Sequence, residues 1–121
     1  MPATYRIDRE RRIILSTASG VLTDHDIREH QQQLRSDSDF DASFDQLWDH
    51  RDVTDFQITT ATLRDLATAR SFKPGSRRAV VTPSDLGFGL ARMFQTLHEE
   101  APEDLRVFRT IEEARSWLGL D

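Results

Sequence analysis

Hydrophobic and polar positions change period several times along the chain, and each change marks an element. Residues 4–8 alternate, with Tyr5 and Ile7 on one face, which predicts a strand. The charged run 9–12 predicts a turn, and residues 13–19 a second strand, paired with the first as a hairpin and ended by Gly20. Thr23 then opens a helix: its hydroxyl can cap, Asp26 sits three residues on, and Leu22 and Ile27 hold the staple positions. That helix should run to about Arg35 with Ile27 and Leu34 inward, before a polar loop over 36–43. Residues 44–49 predict a short buried strand. Thr59 or Thr60 opens a second helix to about Arg70 that buries Leu63, Leu66 and Ala67.

Lys73, Pro74 and Gly75 form a turn. Residues 78–82, apolar without alternation, predict a central strand. Ser84 caps a third helix reaching Glu100, with Pro102 after it, and residues 105–109 form the last strand. Thr110 and Glu113 make a capping box for a final helix closed by Gly119. The order β-β-α-β-α-β-α-β-α predicts an α/β fold, one domain over residues 1–121, with helices packed on a mixed, mostly parallel sheet.

The third helix contains an anomaly. At about 100° per residue, Leu86, Leu90, Met93 and Leu97 share a stripe that should face the sheet, with Phe94 at its edge. Phe88 points the opposite way, between Gly87 and Gly89. Each interior glycine costs the helix about 1 kcal/mol relative to alanine, so another backbone, a ligand or a partner should approach there. The run from Gly87 to Arg92 begins like a dinucleotide fingerprint. Its last position is Arg92, however, and its glycines lie inside the helix rather than in the turn before it. Close packing by a neighbouring loop, or contact with a partner through Phe88 and Arg92, fits better.

Composition removes several classes. With no cysteine in 121 residues, disulfides and thiolate metal sites are out. The N-terminus has no apolar signal core and no run approaches a membrane span, so a cytoplasmic protein without a transmembrane segment is expected. A net charge of −5, with basic residues spread along the chain, argues against nucleic acid as a partner.

Candidate chemistry is sparse. Asp37, Asp39 and Asp41 have calcium-loop spacing, but the positions that need Gly and Glu hold Ala42 and Trp48, so a solvated loop is expected. His25 and His30 do not share a helix face, and Asp26 with His30 reads as a surface pair. His50 beside Asp49 at a strand end is the best acid–base candidate, yet no nucleophile joins it. No catalytic constellation, cofactor site or metal site is expected. Thr59 and Thr60, at a helix start, can cap it, and a phosphate on either would meet free N–H groups there.

Four segments, "GVLTDHDI", "LWDHRDVTDF", "AVVTPSDLGFGLARMF" and "VFRTIEEARSWLGL", stand in the order of the SpoIIAA-like family, which the chain resembles over about residues 4 to 120. That family is related to the STAS anti-sigma factor antagonist domains and is grouped with the SEC14/CRAL-TRIO lipid-binding fold. The resemblance implies the α/β order above and a mostly non-catalytic domain that binds partner proteins. STAS members are switched by phosphorylation in a D-S-[ST]-G motif at the second helix. The matching residues here are Ile58, Thr59, Thr60 and Ala61, without the Asp and the Gly.

A regulatory or adaptor domain acting through a protein partner or a second copy of itself, a homodimer, is therefore expected, with Gly87, Phe88, Gly89 and Arg92 as candidate contacts and Thr59 and Thr60 as candidate phosphorylation positions. The alternative is a small carrier or sensor of an apolar lipid or acyl ligand. A carrier needs a cavity of about 300 Å3, lined by residues such as Trp48, Phe56, Leu66 and Phe94.

Overall fold

A computed structural model of the chain describes residues 2–69, 71–99, 101 and 103–120. The elements follow in the expected order: β1 (Ala3–Asp8), β2 (Ile13–Thr23), α1 (Asp24–Ser36), β3 (Asp45–Gln57), α2 (Thr60–Thr68), β4 (Arg77–Val81), α3 (Asp85–Leu97), β5 (Asp104–Phe108) and α4 (Ile111–Leu118). Every helix starts on a hydroxyl cap: Thr23, Thr59, Ser84 and Thr110 each accept a backbone N–H from the first turn. At Thr23 the capping box with Asp26 is complete, and Gly119 closes α4 with a left-handed φ of 72°. The expected ends at Arg70, Glu100 and Pro102 lie outside the described residues. Helix α3 has finished by Leu97, with His98 as its C-cap.

The five strands line up as β1-β2-β3-β4-β5, β1 antiparallel to β2 and the rest parallel. The sheet grows in one direction, so right-handed crossovers place α1, α2 and α3 on the same face. Helix α4 covers the other face, where Ile13, Leu47, Ala79 and Val81 pack on Ala114 and Leu118. Under the three-helix layer, Ile14 packs with Leu34, Phe44 and Phe72, and Ala3 and Ala18 with Leu22. Helix α2 leans mainly on α1 and α3 rather than on the sheet, which leaves room beneath it.

Two strands outrun their expected limits. Gly20 does not end β2: it sits inside the strand at φ 67°, and the strand continues to Thr23. The strand expected over 44–49 continues to Gln57. Beyond Asp49, β3 pairs with β2 but not with β4, so the two form an overhanging ribbon. Between Thr17 and Ser19 the partner strand advances from Asp49 to Asp52, one residue more, which places a β-bulge on β3 around His50.

Helix α3 is rotated from the expected setting. Leu86 and Met93 are exposed, at 56% and 41%, and it is Gly87 that is buried. A Cβ on Gly87 would collide with the Thr82 hydroxyl and come within 2.8 Å of the Phe56 ring. The helix therefore turns its glycine to the sheet, with Leu90, Ala91, Phe94 and His98 following on the inward side.

Candidate functional site

The room beneath α2 is a cavity between the sheet and helices α1–α3, and Trp48, Phe56, Leu66 and Phe94 all line it. Its volume is about 100 Å3. That is a third of what a drug-sized ligand needs, but near the ~150 Å3 of an apolar cavity that admits benzene. The cavity of about 300 Å3 that a carrier of a lipid or acyl ligand needs is therefore not there; the space fits a single ring or a short branched group.

Alternation along β3 aims Gln46, Trp48 and His50 at this side. The Trp48 ring stacks on His30 at 4.4 Å and meets His50 at 4.6 Å, and Phe56 lies 5.9 Å from His50. Burial pushes the His30 pKa down to about 4, with the Arg78 charge adding to the effect. Burial likewise pushes His50 down to about 4, outweighing the opposite pull of Asp49. Both rings are neutral at pH 7. His50 Nε2 is sealed from solvent and has no hydrogen-bond partner among the described residues.

A polar line crosses the sheet below the cavity. Buried Glu103 accepts from His98 Nε2 at 2.9 Å and from Arg78 Nη1 at 3.2 Å. Arg78 Nε donates to Gln46 Oε1 at 3.0 Å, Gln46 Nε2 donates to Ser16 Oγ at 3.1 Å, and Ser16 Oγ lies 3.0 Å from His30 Nε2. Burial works against the Glu103 charge, but the bonds from His98 and the Arg78 charge hold its carboxyl below the usual range. The Arg78 guanidinium also lies over the Phe72 ring at 4.4 Å.

The structure sorts the other sequence candidates. Asp49 and His50 do not form a dyad: Asp49 faces the α4 side and is held by Arg51 Nη2 at 2.9 Å, while His50 faces the cavity. His30 is not on the surface with Asp26: it is buried against Ser16, and Asp26 caps α1. Asp37 accepts the Tyr5 hydroxyl and the Asp39 N–H, and Asp41 accepts the Ser43 N–H. Among the described residues no group of three or more His, Cys, Asp or Glu is placed to hold a metal.

Phe88 is half-buried with the Arg109 guanidinium 4.2 Å from its ring centroid, Arg92 is exposed, and a Cβ on Gly89 would meet nothing within 4 Å among the described residues. Thr59 and Thr60 are both exposed at the start of α2. Sequence reasoning missed His30 and Arg78 as interior groups. The signal for His30 was its place between Ile27 and Leu34, three and four residues away on the inward stripe.

A sheet wound in one direction, with three helices over one face and an aromatic cavity beneath them, defines a class of small α/β domain. The sequence profile of the SpoIIAA-like family matches residues 13–119, and the chain belongs to that family. A solved structure of an uncharacterized protein from Shewanella loihica PV-4 with a SpoIIAA-like fold is similar, with a TM-score of 0.61 and 19% identity over 96% of this chain and 93% of that one. At that identity the likeness speaks for the fold. No curated protein matches. No helix among the described residues is long and apolar enough to cross a membrane.

Proposed function

We propose that this chain acts as one non-catalytic cytoplasmic sensor or carrier domain that takes up a small apolar ligand beneath α2. The cavity carries this reading: it is walled by Trp48, Phe56, Leu66 and Phe94 and holds two neutral histidines. Native mass spectrometry of gently purified protein should find a bound compound of about one ring in size. Uniformly bare protein, with a Trp48 indole NMR signal indifferent to small aromatic compounds, would overturn it.

Regulation through a protein partner or a second copy is the second reading, supported by exposed Leu86 and Met93 on α3 beside Phe88 and Arg92. The Phe88→Ala variant should weaken association by more than ~1 kcal/mol without unfolding the chain, and unchanged assembly by analytical ultracentrifugation would count against it. A phosphate on Thr59 would face the Asp24 carboxylate that Thr59 now bonds, so modification there would part α2 from α1.

A further inference from the structure

Resting on the cavity as a ligand site, we propose that His50 is its polar anchor and that the occupant is a small neutral compound with one hydroxyl on an apolar body, of the size of a phenol or a short branched alcohol. Three observations converge on this. First, His50 Nε2 is a sealed polar atom with no partner among the described residues, on a side chain that lines the cavity. A buried polar atom without a partner is costly, and a ligand that supplies one gains what an apolar ligand of equal size cannot. Second, alternation along β3 turns His50 to the cavity with Gln46 and Trp48, and the β-bulge there interrupts the β2–β3 ladder beside it. Third, Trp48 and Phe56 flank the imidazole, so a body bonded to Nε2 would lie against aromatic faces.

The chemistry of the walls selects the polar group. A neutral imidazole has one N–H and one lone pair, and a hydroxyl, being donor and acceptor, completes Nε2 in either tautomer. A carboxylate would need a counter-charge: of the two arginines on the lining, Arg78 is already paired with Glu103, and Arg35 is exposed to solvent rather than buried beside the rings. An ammonium would bring an unbalanced charge beside the rings. The volume of about 100 Å3 excludes a long chain.

Phenol and toluene, two single rings with one heavy-atom substituent, test this by titration into 15N-labelled protein at pH 7. In a merely apolar cavity toluene binds tighter, because it is the less soluble of the two. The expected result is the reverse, with phenol favoured about ten-fold or more and a shift of the His50 Nε2 resonance. The preference should invert in His50→Phe and survive in part in His50→Gln, whose amide can still bond a hydroxyl. The Gln variant, and the Nε2 shift in the unmodified chain, keep the test valid should the Phe variant fail to fold. If toluene binds as well as phenol in the unmodified chain, the anchor is overturned and the cavity still binds ligands. If neither ring binds, the ligand site itself falls, and the anchor with it.

Discussion

The carboxylate of Asp24 grips Thr59 twice, accepting its backbone N–H at 2.8 Å and its hydroxyl at 2.9 Å. The Thr59 oxygen in turn accepts the Thr62 N–H and caps α2. These bonds outweigh the effect of desolvation and hold the Asp24 carboxyl below its ordinary range. Thr59→Ala removes the cap and the hydroxyl half of the tie to α1, leaving the backbone N–H bond to Asp24, and should cost about 1–2 kcal/mol in urea denaturation. Thr59→Glu should cost more than Thr59→Ala, because its charge would face Asp24. An equal or smaller cost would show that the tie contributes little.

Gly87 and Gly89, two residues apart on α3, should respond in opposite directions. Alanine at Gly89 enters open space and should stabilise by up to about 1 kcal/mol through helix propensity. Alanine at Gly87 meets the Thr82 hydroxyl and the Phe56 ring, and should destabilise by about 1–3 kcal/mol despite the same gain. Thermal melts of the two variants decide it. A stabilising Gly87→Ala would mean that α3 can shift away from the sheet at little cost.

Removal of one buried partner should hurt more than removal of both. Arg78→Met leaves the Glu103 charge in the interior and should cost about 3–5 kcal/mol. The double variant Arg78→Met with Glu103→Leu should recover part of that loss. Additive costs, measured by chemical denaturation at pH 7, would show that Arg78 and Glu103 are not coupled.

Two buried neutral rings set the acid response. Their folded pKa values of about 4 lie below the ordinary 6.5, so on acidification the unfolded chain takes up protons first. Stability should be full above about pH 6.5 and fall as pH drops towards 4, by roughly 3 kcal/mol for each ring over the whole window. Arg78 opposes a charge on His30, Asp49 favours one on His50, and the two histidines oppose each other. The urea midpoint should therefore decline between pH 7 and pH 5, and less steeply in His30→Gln. A flat profile would mean that both rings reach water in the folded state.

Helix starts were the most legible features, because a cap is a local bargain between one hydroxyl and one N–H: Thr23, Ser84 and Thr110 were readable where they stand. The length of β3 was hidden for a physical reason. Past Asp49 it has a neighbour on one side, so Asp52, Thr54 and Asp55 face solvent and carry no hydrophobic period. The setting of α3 departs from its leucine and methionine stripe because close approach to Thr82 and Phe56 demands the residue with no side chain, a tertiary constraint that helix periodicity does not carry. The cavity walls Trp48, Phe56, Leu66 and Phe94 could be named in advance, but not the volume between them, which depends on how far α2 stands off the sheet.

The polar line from Glu103 to His30 has a direction. Arg78 can only donate, so the Gln46 oxygen must turn towards it and the Gln46 amide must donate to Ser16. The Ser16 oxygen, having accepted from Gln46, keeps one hydrogen and one lone pair, and His30 Nε2 stands 3.0 Å from it. The forced sense of the line therefore runs from the guanidinium on β4 to the hydroxyl on β2 and stops there. At that hydroxyl the floor of the cavity keeps a swivel: the imidazole above can meet it in either tautomer without breaking any bond beneath.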